Sequence, residues 1–403
     1  MLYSGVQYAI LFVLSIVLAR TLGEEGLGLY SYLTALTIPL WIAIEFGLDN
    51  YFVRELARSP QKSHELAVKG ISFRLIFAVL MLVFIVPVIV VSQEGSVTKI
   101  GFVLLSIAFL PHSVYAGYCS VLRSQQRYYH AMRFDMFGAL IIAAGAIIVL
   151  FLFHSILAVI AIATAVDFLK LFAILPLYKK EFGVSLLKSL DFHISRHRDL
   201  LKAALPFALL NVVVALHLRM DVLLLEHFRS AAEVGIFTAA ERFINVAMVV
   251  PLAMYNGLLP LFSLSRGKSF AVRFSIQTLL VFSGIGLLIT LFFYFAASMI
   301  IHLTFRFPES VAVLQILAWS FLFLTFNLIA ESWLYGHQME RRALYARCVG
   351  LAVLIIANIY FVPRFGAQGT ALSTTLTEIC LSGIFIVVLL RVNYKKSVVV
   401  SQG

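Results

Sequence analysis

Charge is scarce in this chain of 403 residues. Asp, Glu, Lys and Arg make up 13% of it and apolar residues 62%, against about 25% and about 45 to 50% in soluble domains, so water is not its main solvent. The three cysteines, Cys119, Cys348 and Cys380, have no paired spacing, which excludes a disulfide framework and a zinc site. No phosphate-binding loop is present: Gly267-Lys268-Ser269 lacks the glycine five positions earlier, where Phe262 stands, so ATP hydrolysis by this chain is not expected. An HExxH sequence, a paired-acid loop and a Ser, His and Asp set outside the apolar runs are also missing, which argues against an enzyme and against a resident metal or cofactor. The longest polar gap, about 178 to 202, is too short for a folded domain outside the membrane. Met1 to Leu18 has neither a basic start nor a cleavage site behind it, and reads as a retained first helix rather than a signal peptide.

What the chain does have is long apolar runs. A bilayer core of about 30 Å needs roughly 20 apolar residues in a helix, and Ile71 to Val91 and Ile276 to Ile301 satisfy this without interruption. Twelve such stretches lie near residues 2–20, 28–50, 71–92, 100–122, 133–153, 156–178, 200–226, 234–262, 272–302, 311–336, 343–362 and 368–390. The expected architecture is an all-α integral membrane protein with 12 transmembrane helices in two pseudo-symmetric six-helix bundles. It divides into an N-terminal lobe at 1–178, a basic linker at 179–199, a C-terminal lobe at 200–391 and a tail at 392–403.

The formal charge of +11 is distributed by topology. Alternate gaps carry 23 basic residues, among them Arg123, Arg127, Arg133, Lys179 and Lys180, while the intervening gaps hold five: Arg20, Lys99, Arg229, Arg306 and Arg364. The positive-inside rule puts the richer side and both termini in the cytoplasm, and the basic balance is topogenic rather than a nucleic-acid footprint. An even number of spans per half relates the halves by an axis along the membrane normal. At an offset of 207, Leu18 to Tyr32 lies over Leu225 to Ala239, with Gly28 over Gly235 and Tyr30 over Phe237. At an offset of 212, Gln126 falls on Gln338.

Ionisable side chains within apolar helices are costly, so they face a bundle interior or a wet cavity. Asp167 and Lys170 are three apart and share a face, as an ion pair does. Arg219 and Asp221 are two apart and point to opposite sides. Arg219 lies at a depth similar to Glu241 and Arg242, which leaves two readings: a cross-helix pair with Glu241, or an arginine facing an anionic ligand. Glu45 and Asp49 are four apart on one predicted helix; buried together, one of them would hold its proton to a higher pH, while their place toward the cytoplasmic end also lets them reach water or Arg54. Glu378 and His112 lie deeper, and Glu331 is expected at the interface. Asp167, Glu45, Asp49 and Glu378 are therefore candidates for coupling to a proton or sodium gradient.

Leu18-Ala19-Arg20-Thr21-Leu22-Gly23, Gly28-Leu29-Tyr30, Phe46-Gly47-Leu48-Asp49 and Val53-Arg54 resemble the opening of polysaccharide-repeat flippases of the multidrug/oligosaccharidyl-lipid/polysaccharide exporter superfamily. Arg219-Met220-Asp221, Leu223-Leu224-Leu225, Glu233-Val234-Gly235-Ile236-Phe237 and Leu259-Pro260 resemble that family's seventh and eighth helices. The resemblance implies two six-helix lobes around a central cavity. It implies alternating-access translocation of an undecaprenyl-pyrophosphate-linked oligosaccharide across the cytoplasmic (inner) membrane for cell-surface polysaccharide synthesis. It further implies membrane lipids and polysaccharide polymerase machinery as partners, and a monomer. Arg219, Arg242, Lys170 and Arg20 are the residues placed to meet the diphosphate or acidic sugars. Two departures are visible. No Lys or Arg precedes Arg20, where relatives carry a basic tail, so residues before Met1 are expected. The arginines that lipid II flippases carry earlier on the first helix are also missing, which favours an O-antigen or capsule-type (exopolysaccharide) unit. The alternative on the same fold is a cation-coupled multidrug or toxin-type exporter of small organic molecules, which would need a net acidic cavity.

Overall fold

The computed structural model describes all residues except 1, 50, 53, 54, 56–62, 126, 194–197, 265–269 and 401–403. Met1, Val53, Arg54, Gln126 and Gly267-Lys268-Ser269, named above, lie outside the described residues. Among the described residues every element is helical: α1 Leu2–Glu45, α2 Ser63–Val91, α3 Ser96–Ile107, α4 Phe109–Ser124, α5 Tyr128–Phe153, α6 Ile156–Phe182, the single turn α7 Leu186–Ser189, α8 Arg198–Phe228, α9 Ala231–Ala247, α10 Val249–Leu264, α11 Phe270–Leu303, α12 Ser310–Gly336 and α13 Glu340–Val400. Ten described helices are long and apolar enough to cross a membrane. The two longest are each two helices joined at a break, at Gly23 in α1 (φ 71°) and at Gly366 in α13 (φ 55°). Long apolar side chains stand open on the flanks, with Phe84 68%, Val91 83% and Phe295 78% exposed, as lipid-facing positions require.

Contacts divide the chain into two compact units, one of residues 1–32 with 217–403, the other of residues 33–216. The boundaries fall within α1 and α8, whereas the sequence reading places them at the 179–199 linker. In the first unit Phe262, Ile329, Trp333, Leu381 and Phe385 are buried together; in the second, Ile71, Tyr115, Tyr118, Leu122 and Tyr178 are.

One helix crossing explains why the start of α1 belongs with the later helices. A Cβ on Gly28 would lie 1.6 Å from the Ala231 carbonyl oxygen, and a Cβ on Gly235 would lie 1.9 Å from the Glu24 carbonyl oxygen. Only glycine permits backbones this close. At the offset of 207, Glu24 overlies Ala231 and Gly28 overlies Gly235, so the contact is reciprocal, as a two-fold relation demands. The weak sequence repeat is thus expressed as a physical contact. Ser230 starts α9 by accepting the Glu233 amide, and the Glu233 carboxylate accepts the Ala367 amide just past the Gly366 break, at 2.8 Å.

Candidate functional site

In the first unit, α8 carries Arg219 and α9 carries Arg242, both partly buried. Neither guanidinium lies within 4.0 Å of a carboxylate among the described residues, so the Arg219–Glu241 pair is not formed. The Nε of each is buried without a hydrogen-bond partner. The two charges act on one another, and Tyr30 and Glu241 lie within the same field. Each unmatched buried donor costs about 1 to 3 kcal/mol, so an acceptor brought to either Nε would be stabilising.

Arg20 does something different. Its Nε donates to the Thr304 carbonyl at 2.8 Å and its Nη2 to the Leu303 carbonyl at 2.5 Å, closing the end of α11. Arg229 repeats this at the first segment of α13, donating to the carbonyls of Val362 at 3.1 Å and Pro363 at 2.7 Å. Cations at helix carboxyl ends offset the partial negative charge there. Arg20 therefore reads as a helix-end brace that stands apart from Arg219 and Arg242. Lys170 belongs to the second unit. Its ammonium lies 3.7 Å from Asp167 and 3.9 Å from Asp135, over the Tyr115 ring at 5.1 Å, and Gly138 on α5 leaves the room that its aliphatic chain fills. Tyr115 donates to Asp135 at 2.6 Å. The expected Asp167–Lys170 pair is present, enlarged by Asp135 and Tyr115, which the sequence reading missed.

Glu45 and Asp49 are not on one helical face. α1 ends at Glu45, and Phe46 and Gly47 both take positive φ (51° and 65°) before the chain resumes at Leu48. Glu45 goes to His112, 3.5 Å away, whose ring stacks on Trp41. Asp49 instead binds Arg74 at 2.7 Å and Arg123 at 2.8 Å and accepts a hydrogen bond from Ser120. Two guanidiniums and a hydroxyl thus converge on the one carboxylate. The expectation that the two acids face the same way is corrected: the break separates them, and Asp49 is paired with Arg74 and Arg123.

Glu378 on α13 is buried, 3.7 Å from His217 on α8, and accepts from the Asn327 amide at 2.7 Å; Asn327 in turn accepts from Ser382 at 2.8 Å. Glu331, expected at the interface, is buried and forms a two-pronged pair with Arg347 at 2.8 and 2.7 Å. Asp221 has no cation within 4.0 Å among the described residues, only neutral partners. Its Oδ1 accepts from Asn358 at 2.9 Å and its Oδ2 faces the Thr374 hydroxyl at 3.0 Å, which also lies 3.0 Å from the Thr370 carbonyl. One hydroxyl proton cannot serve both oxygens, and the Asn358 Oδ1 is buried without a donor. This oxygen-rich, proton-poor cluster can accept a proton or a small monovalent cation. Asp221 was visible in the sequence as an intramembrane acid; Asn358 and Thr374, being neutral residues in long apolar helices, gave no signal.

Residues 1–265 match the family described as polysaccharide biosynthesis protein. A 195-residue segment is 27% identical to the uncharacterized membrane protein MJ1375 of Methanocaldococcus jannaschii, covering 48% of this chain and 46% of that protein. The chain therefore matches about half the length of that curated relative. Among solved structures, the lipid II flippase MurJ in an inward closed conformation has a TM-score of 0.75 at 17% identity, over 96% of this chain and 86% of that one. An inward-facing multidrug resistance MATE family transporter of the MOP superfamily has 0.79 at 15% identity, over 98% and 96%. At such identities the likeness is one of fold. With well over half its residues matched to it, the chain belongs to the polysaccharide biosynthesis protein family.

Proposed function

We propose that the protein is a flippase that moves an undecaprenyl-pyrophosphate-linked oligosaccharide across the cytoplasmic membrane by alternating access, for cell-surface polysaccharide synthesis. The observation that carries this reading is the Arg219 and Arg242 pair, two partly buried guanidiniums without carboxylate partners among the described residues. A diphosphate supplies the acceptors they lack, whereas an organic cation would be repelled by them. The family match supports the same reading, and the MurJ likeness is compatible with it at the level of fold. Diphosphate and sugars cannot enter hydrocarbon unaided, while a polyprenyl chain is at home there. In this scheme Asp221, with Asn358 and Thr374, takes the driving proton or sodium ion, and Glu378 with His217 is a second acid available for coupling.

The test is genetic. Deleting the gene, in a strain with no second transporter of the kind, is expected to trap lipid-linked sugar in the inner leaflet and strip polysaccharide from the cell surface. Unchanged surface polysaccharide together with altered sensitivity to cationic drugs would contradict the reading and favour the multidrug-type alternative.

A further inference from the structure

A second basic site lies wholly inside the unit of residues 33–216. A cavity of about 390 Å³ opens where the ends of α4 and α6 meet the start of α5. Its rim carries Arg127, His130, Arg133 and Lys180, and its apolar wall includes Leu122, Phe134 and Leu177. The one carboxylate at the rim is already engaged: Glu181 pairs with Arg127 and accepts the Tyr118 hydroxyl at 2.7 Å. Arg133 and Lys180 are exposed, and neither lies within 4.0 Å of a carboxylate among the described residues. Arg133 and Lys180 thus leave the cavity with net positive charge among the described residues.

Two further observations point to the ligand. Tyr129 is 69% exposed beside the rim with the Arg133 guanidinium 5.1 Å from its ring, an amphipathic aromatic at the end of a spanning helix, as at the headgroup level. Running away from Lys180 along α6, Leu177, Phe172 and Leu169 are 39%, 63% and 54% exposed, so an apolar strip leads into the hydrocarbon from the basic rim. A free anion has no use for such a strip. Basic pockets between helix ends at the inner surface suit anionic headgroups.

We infer that this cavity binds an anionic phospholipid, its phosphate held by Arg133 and Lys180 and an acyl chain lying along Leu177, Phe172 and Leu169. The inference stands apart from the transport reading, because its readout is lipid retention.

The full-length protein, purified in neutral detergent, is offered phosphatidylglycerol and phosphatidylcholine of matched chains, and retained lipid is counted by native mass spectrometry. Wild type is expected to prefer phosphatidylglycerol. Each cation contributes about fivefold to such a preference, so R133Q/K180Q should weaken it about 25-fold and K180Q alone about fivefold. Leu177→Gln should weaken retention of both lipids while leaving the preference intact. An unchanged preference in K180Q and in R133Q/K180Q overturns the inference. So does displacement of phosphatidylglycerol by equimolar inorganic phosphate, which would make this a site for a soluble anion.

Discussion

Replacing Gly28 with alanine tests the reciprocal helix crossing on which the repeat relation rests. The new methyl carbon would sit 1.6 Å from the Ala231 carbonyl oxygen and 2.8 Å from the Gly235 nitrogen. A relaxed carbon-to-oxygen contact is about 3.3 to 3.6 Å, so the helices must part by about 2 Å. Backbone atoms cannot step aside as a side-chain tip can, which places the cost near the top of the usual overpacking range, about 3 kcal/mol. Thermal unfolding of purified Gly28→Ala should show a midpoint lower by several degrees, and Gly235→Ala, which meets Glu24 in the same way at 1.9 Å, should match it. Once one methyl has separated the helices the second meets less resistance, so the double variant should lose clearly less than the sum of the two. A midpoint equal to wild type for Gly28→Ala, or strict additivity in the double variant, would refute the close crossing.

Other expectations follow from the polar clusters. Arg219→Gln and Arg242→Gln should each lower translocation at least tenfold, about 1.4 kcal/mol or more of lost anion stabilisation, with membrane levels unchanged on immunoblots. Asp221→Asn should leave binding of lipid-linked sugar in place while abolishing its dependence on a proton or sodium gradient, read in vesicles with and without the imposed gradient. Arg74→Ala removes the buried partner of Asp49 but leaves Arg123 and Ser120 on the carboxylate, and should cost about 1 to 3 kcal/mol in chemical unfolding.

The spanning helices were legible because hydrocarbon demands a run of fixed length, and the repeat was legible in Gly28 and Gly235 because close crossings tolerate only glycine. The Asp167–Lys170 pair followed from spacing along one helix. Spacing failed where the helix itself ended: Glu45 and Asp49 share a face only if α1 continues, and Phe46 at positive φ, a conformation that bulky residues rarely adopt, stops it. Arg20 looked like a ligand-facing cation because its partners are backbone carbonyls, which every residue has and no sequence pattern marks. Partners distant in sequence escaped for the same reason that long-range contacts generally do: nothing in α8 announces that Asn358 and Thr374 of α13 will meet Asp221. The membership of residues 1–32 in the unit with 217–403 likewise depends on which helices touch, a property of three-dimensional packing.

The central claim is that the protein carries lipid-linked saccharide across a membrane. Purified protein reconstituted into liposomes holding an undecaprenyl-pyrophosphate-linked oligosaccharide, with leaflet location read by an impermeant sugar-modifying reagent, measures it directly. The account predicts gradient-accelerated exposure of the sugar on the far leaflet with wild type and little above empty liposomes with Arg219→Gln. Exposure no faster than in empty liposomes under any gradient, from protein that moves small organic cations in the same vesicles, would contradict it.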